Sequence, residues 1–237
     1  MQLTNLARMK SATEVQTLQK HPMPFVRMEL VLLAVSGEEL QVLLSHREEA
    51  PFKGRWGLPG GVLRIDLDAS LEDAAQRVAS ERLNRTLPNL QQVAAVGGAM
   101  RDPRAPWAMS VVYRSLVHPD IETSPGKRVQ ALEWRNVEDV FKATDLAFDH
   151  AALVAQAVTA TRIEVRAFRF APGWLPPEFT LTELQTISQT VLGEKLDKVT
   201  FRRRMEVASI AQPLVGKMRT GGAHRPAQLY QLLPWSA

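Results

Sequence analysis

Ser70-Leu-Glu-Asp-Ala-Ala-Gln-Arg-Val-Ala-Ser-Glu-Arg-Leu-Asn84, which follows soon after Gly60-Gly61, decides how the first two thirds of this chain are read. Ser70 and Asp73 stand at capping-box spacing, with Asp in place of the usual Glu or Gln. Leu71, Ala75, Val78 and Ala79 recur at helical spacing and form an apolar stripe. Asn84 tolerates the left-handed conformation that ends a helix. The stretch is a helix with one face bound for a core, and Gly60-Gly61 closes the loop that leads towards it.

Around this helix the pattern changes to strands. Val26–Val35 and Leu40–Ser45 are aliphatic and β-branched, separated by Ser-Gly-Glu-Glu, which is a hairpin signal. Ala50–Gly61 is rich in Pro, Gly and Trp and reads as a structured loop. Val93–Ala99 and Ala108–Val117 read as strands, with Arg101-Asp-Pro-Arg104 in the loop between them. Val129–Trp134 is a further strand and Ala147–Arg162 a second helix. Several strands around one early helix predict a mixed α/β domain. Residues 1–24 are expected to form an N-terminal arm, and residues 25–162 the α/β domain.

Ala171-Pro-Gly-Trp-Leu-Pro-Pro177 interrupts the chain, and the character changes after it. Thr180–Leu192 is a helix opened by a second capping box, Thr180 and Glu183, and stopped by Gly193. Asp197–Ala208 is another helix. Ile210–Val215 and Ala227–Leu233 read as strands flanking the basic, glycine-rich tip Gly216–Pro226. Helix, turn, helix, then a basic hairpin is the layout of a winged helix-turn-helix, expected over residues 163–237.

Charge supports this division. Residues 1–160 carry 18 Lys and Arg against 19 Asp and Glu, whereas residues 161–237 carry 11 against 6. The net +4 therefore lies in the last third, which suits a polyanionic partner. Lys198, Thr200, Arg202, Arg203 and Arg204 on the second helix, with Lys217, Arg219, His224 and Arg225 on the tip, are the candidate contacts to double-stranded DNA. Three consecutive arginines span about 200° of a helix, so one or two can reach base edges while the others hold phosphate. There is no cysteine, which excludes disulfides, thiolate metal sites and a cysteine nucleophile. The first residues lack a signal-peptide core, and the longest apolar run, Leu30–Val35, is too short to span a membrane. A cytoplasmic protein is expected.

Pro51-Phe-Lys-Gly-Arg-Trp-Gly-Leu-Pro-Gly-Gly61 and the Ser70 helix resemble the Nudix family, whose box reads G-x5-E-x7-R-E-U-x-E-E-x-G-U. The three acids after the box arginine lie on one helical face and bind Mg²⁺ through oxygen. The metal then polarises a diphosphate and orients water. Here Arg77 matches the box arginine, and the three acid positions hold Val78, Glu81 and Arg82. The earlier box acid becomes Ala69 with Asp68 beside it, and Gly61 to Arg77 is two residues longer than the family spacing. One carboxylate of three predicts a degenerate box with no metal, no cofactor and no efficient hydrolysis. The alternative is an active Mg²⁺-dependent hydrolase of ADP-ribose or another nucleoside diphosphate derivative.

The phosphate-gripping cations look better kept: Arg47, Lys53 and Arg55 bracket the loop leading to Gly60 and Gly61, and Arg101, Asp102 and Arg104 lie close to a hairpin tip. Phe52, Trp56 or Trp107 can stack on a base, though core packing is the commoner role for Phe52 and Trp56. Arg82 either replaces the missing metal against a bound phosphate or is an exposed helix charge. Together with Leu146-Ala-Phe-Asp-His150, Phe179-Thr-Leu-Thr-Glu-Leu-Gln185 and Arg225-Pro-Ala-Gln-Leu-Tyr230, these motifs resemble the Nudix-related transcriptional regulators of NAD metabolism, the NrtR- and NadQ-like proteins. The resemblance implies a homodimeric repressor whose Nudix-like domain senses ADP-ribose or a related nucleotide.

Overall fold

The computed structural model describes residues 23–170, 174–220 and 226–233. Nearly all of the expected N-terminal arm lies outside those residues, as do part of the connector after residue 170 and His224 and Arg225.

β1 (Phe25–Ser36) and β2 (Glu39–Arg47) form the expected hairpin, with Gly37 at φ 60° in its turn. β1 is the hub. It pairs antiparallel with β2 and with β4 (Gly60–Val62), and parallel with β6 (Ala105–Leu116). β5 (Gln91–Asp102) pairs with β6, while β3 (Trp56–Gly57) and β7 (Val129–Asn136) flank β2. The result is one seven-stranded mixed sheet.

The continuous apolar run of β1 is explained by burial on both faces of the sheet. Leu30 and Leu32 pack towards α1 (Leu71–Leu83), among Ala74, Ala75, Val78, Ala79 and Leu83. Val31 and Leu33 point the other way, into a cluster with Leu153, Val154, Ala157 and Val158 of α3 (His150–Arg166). Two-residue alternation along β1 therefore supplies two cores.

α1 has the ends its sequence predicts. Ser70 accepts a hydrogen bond from the Asp73 N–H at 3.0 Å, and Asn84 is left-handed at φ 49°. The helix's last carbonyls are satisfied by the loop before β7: the N–H groups of Ser124, Gly126 and Lys127 donate to Leu83, Arg82 and Glu81.

The structure differs from the sequence reading at several points. The Arg101–Arg104 loop is only the turn Pro103-Arg104, because β5 and β6 continue through an irregularity between Ala99 and Asp102, where Met100 takes φ 60°. The loop Ala50–Gly61 contains the short strand β3 and the start of β4, both too brief to show a period. α2 (Val137–Lys142) was not expected; Asn136 caps it by accepting from the Glu138 N–H. α3 starts three residues later and ends four residues later than read, and so runs through the expected domain boundary at residue 162.

The C-terminal part follows the expected order: α4 (Leu181–Leu192), α5 (Lys198–Ala208), β8 (Ala211–Arg219) and β9 (Ala227–Leu232). Thr180 and Glu183 form a complete capping box, and Gly193 ends α4 at φ 70°. β8 takes in Gly216–Arg219, which the sequence places in the tip. Phe168, Phe179, Leu184, Val191, Phe201 and Met205 join the same cluster as the α3 face of the sheet, so one core runs through both parts.

Candidate effector pocket and DNA-facing helix

Five guanidiniums converge where the end of β2, the Gly60 strand and the end of α1 meet. Arg27, Arg47, Arg82, Arg104 and Arg128 line one pocket with Ser45, Glu49 and Gly60. The Phe148 ring lies behind three of them, 5.5 Å from the Arg27 guanidinium, 5.1 Å from that of Arg47 and 5.9 Å from that of Arg104. Such faces attract cations, so the ring helps to hold the three arginines as a group.

The pairing of these cations differs in a way that matters for charge. Arg27 donates to Glu29 at 2.7 Å, Arg104 forks onto Asp102 at 2.9 and 2.5 Å, and Arg128 lies 3.3 Å from Glu49. Arg82 donates to the backbone carbonyls of Gly60 and Lys127 at 2.8 and 3.0 Å, with Glu81 further off at 3.6 Å. Arg47 donates to the Pro51 carbonyl at 2.9 Å, and among the described residues no carboxylate pairs with it. Burial, then the positive Arg27 and Arg104, pull Arg47 down to about 10. Of the five, Arg47 alone thus has no carboxylate partner among the described residues, and Arg82 has its carboxylate only at 3.6 Å.

Beneath the pocket, Glu29 is buried. Burial, the largest influence, raises a carboxyl, but Arg27 and His150 beside it together outweigh this and hold Glu29 at about 2. His150 abuts Glu29 at 3.8 Å and accepts the Leu58 N–H at 2.8 Å through Nδ1, which leaves Nε2 to carry the ring proton. A Cβ on residue 60 would overlap the Glu29 carboxylate, so this approach requires glycine.

The box residues have settled into structural roles. Arg77 forks onto the buried Asp68 at 2.6 and 2.8 Å and donates to the Val62 carbonyl at 2.9 Å, pinning α1 to the loop before it. Asp68 is thereby held below the usual carboxylate range. Val78 is packed in the core under Gly61, where a Cβ would sit 2.8 Å from its methyl. Glu81 faces two cations, Arg77 at 3.4 Å and Arg82 at 3.6 Å.

Of the residues singled out in the sequence, Arg47, Gly60, Arg82 and Arg104 come together at the pocket. Arg82 is not the exposed helix charge of the alternative reading, since its side chain is only 11% exposed. Lys53 and Arg55 are exposed outside the pocket, with Arg55 over the Phe52 ring at 5.7 Å. Gly61 lies under α1, Arg101 is forked onto Asp149 at 2.7 and 2.6 Å, and Asp102 serves as the anchor of Arg104. Arg27, Arg128 and Phe148 were missed. Arg27 had a signal, since Arg27 and Glu29 stand two apart in an otherwise apolar strand and so share a face. Of the stacking candidates, Trp56 packs edge-on against His46 and under Arg135, Phe52 packs against Phe148, and Trp107 covers Gly97.

In the C-terminal part, Phe201 and Met205 bury one side of α5. At about 100° per residue, the opposite side carries Val199, Arg203, Glu206 and Val207, flanked by Thr200 and Arg202. All six are exposed. Lys198 is exposed in the first turn, off this face. Arg204 points elsewhere: it donates to the Arg166 carbonyl at 2.9 Å and covers the Phe168 ring at 4.4 Å, tying α5 to the end of α3. On β8, Lys217 pairs with Glu178, and Arg219 lies 3.3 Å from Glu183. Exposed pairs of this kind contribute little and can be exchanged for phosphate.

A Nudix-type sheet carrying a cationic pocket, continued into a helix-turn-helix with a wing, defines a class of two-part nucleotide-linked regulators. Comparison with known proteins agrees. The Nudix domain model matches residues 27–157, and the NrtR DNA-binding winged helix domain model matches residues 173–232. The chain is 36% identical over 211 residues to the ADPR responsive transcriptional repressor NtrR of Acinetobacter baylyi, covering 89% of this chain and 83% of that protein. The crystal structure of Shewanella oneidensis NrtR complexed with a 27mer DNA matches with a TM-score of 0.72 at 32% identity, over 88% of this chain and 93% of that one. The NUDIX domain of the same protein, complexed with ADP ribose, matches with a TM-score of 0.57 at 30% identity, over 64% and 99%. The chain belongs to the NrtR family of Nudix-related regulators.

Proposed function

We propose that this chain is a homodimeric, cytoplasmic repressor of NAD-metabolism genes. In this reading residues 25–162 bind ADP-ribose or a similar diphosphate nucleotide, and residues 163–237 bind an operator. The observation that carries it is the placement of the two sites at opposite ends of α3. Phe148, at the pocket, lies just before the helix. At the other end Arg162 donates to the Val191 carbonyl of α4, and Arg204 of α5 grips Arg166. A ligand that prefers one setting of the pocket arginines can therefore bias the position of the DNA-facing helix, to the extent of its differential affinity.

The pocket supports binding rather than hydrolysis. Family members that cleave diphosphates use Mg²⁺, and the residues here do not fit that ion. Glu81 already faces two guanidiniums, Val78 is in the core, and the Arg82 cation occupies the pocket wall. A divalent cation would meet positive charge where it needs carboxylate oxygens. In its place Arg47 and Arg82 supply fixed positive charge to the phosphates. Among the described residues no helix is long and apolar enough to cross a membrane.

The test is calorimetry with ADP-ribose in the presence and absence of Mg²⁺, with product analysis. Tight, metal-independent binding without AMP release is expected. Binding that requires Mg²⁺, or release of AMP abolished by Glu81→Gln, would overturn the reading.

A further inference from the structure

On the outer face of α5, Val199 is 75% exposed in the first turn, with Arg202 and Arg203 three and four residues on. Val207 is 82% exposed on the same side. A β-branched residue exposed on a helix carries a propensity cost that packing does not offset here. Covering cations so close with an apolar protein partner would cost their desolvation unless the partner brought anions with it. The surface that presents phosphates and methyl groups together is the major groove, where thymine alone shows a C5-methyl beside the acceptor-rich edges of neighbouring bases. Residues in the first turns of a recognition helix are the ones that reach those edges.

We propose that Val199 reads a thymine methyl in each half-site, with Arg203 one turn on reading a guanine nearby. The proposal rests on the DNA-binding function set out above and adds the determinant of sequence choice. Arg203 is exposed opposite the buried Phe201 and Met205, and no ion pair holds it among the described residues. By contrast Arg204, tied to Arg166 and Phe168, contributes nothing to base choice. Val199 supplies shape and an apolar contact, and Arg203 supplies the fork of donors that suits guanine O6 and N7.

The full-length protein is used to select its preferred duplex from random DNA. Each thymine of that duplex is then replaced singly by deoxyuridine, which removes only the methyl. Loss of one buried methyl should weaken binding about fourfold at one position per half-site and leave the others unchanged. In Val199→Ala, whose exposed position leaves the fold intact, that discrimination between thymine and uracil should disappear while the parent duplex is still bound. Arg203→Ala should instead relax the choice of guanine. Equal tolerance of uracil at every position, or discrimination that persists in Val199→Ala, overturns the proposal. If no sequence is enriched, the DNA-binding reading itself fails.

Discussion

Replacing Arg47 with alanine should weaken ADP-ribose binding by about 10- to 100-fold, because a charge-assisted hydrogen bond contributes about 1.5–3 kcal/mol and each 1.4 kcal/mol is a factor of ten. The effect is specific to this residue. The other pocket arginines spend part of their charge on Glu29, Glu81, Asp102 and Glu49, whereas Arg47 has only the Pro51 carbonyl among described partners. The same fact predicts little damage to the fold. The variant loses the hydrogen bond to Pro51 and the contact with Phe148, but it also relieves burial and the repulsion of Arg27 and Arg104 that pull Arg47 down to about 10. Its melting temperature should stay within about 3 °C of the parent, since 1 kcal/mol shifts a chain of this size by about 2–4 °C. Titration calorimetry reads the affinity and a thermal melt the stability, with Arg55→Ala as the control outside the pocket. Affinity within twofold of the parent, or an equal loss in Arg55→Ala, would show that Arg47 does not grip the phosphates.

Other consequences are open to simple measurements. Arg77→Ala should destabilise by about 2 kcal/mol by leaving the buried Asp68 without its fork; a lower urea midpoint in both Arg77→Ala and Asp68→Asn, less than additive in the double variant, is the expected pattern. Glu29 has a folded value of about 2 against an ordinary value of 4.5, so its ionisation stabilises the fold above about pH 4.5 and that contribution is lost as pH falls towards 2. Glu29→Gln should accordingly be less stable than the parent at pH 7, with the gap closing below pH 4.5; a gap independent of pH would contradict this. Arg204→Ala cuts the tie between α5 and α3, and should leave ADP-ribose affinity unchanged while shrinking the effect of ADP-ribose on operator binding. An undiminished effect in a gel-shift titration would assign the coupling to other contacts.

Much of the frame could be read from the chain because its signals are local. Ser70, Asp73 and Asn84 bound α1 by capping chemistry that needs no tertiary contact, and Thr180, Glu183 and Gly193 do the same for α4. The two-sided burial of β1 is likewise visible in its unbroken apolar run. β3, β4 and α2 escaped because two, three or six residues hold too little periodicity. The site was legible as a set of cations near Gly60 but not as a set of partners. Whether an arginine is available depends on which carboxylate the fold brings to it, and Arg101 meets Asp149 across 48 residues. Arg128 carries no mark in the sequence; it enters the pocket because the loop before β7 is fastened to the end of α1. Arg204 reads like its neighbours Arg202 and Arg203, and only the packing of α5 on Phe168 sets it apart.

In the proposed function the arginine pocket is coupled to operator binding within one chain. Fluorescence anisotropy of the selected duplex with the full-length protein, titrated with and without saturating ADP-ribose, tests it directly. Sequence-selective, salt-sensitive binding is expected, with an affinity that changes at least fivefold with ADP-ribose, a change lost at the same nucleotide concentration in Arg47→Ala. Operator affinity that ADP-ribose leaves unaltered, or that shifts equally in Arg47→Ala, would contradict it.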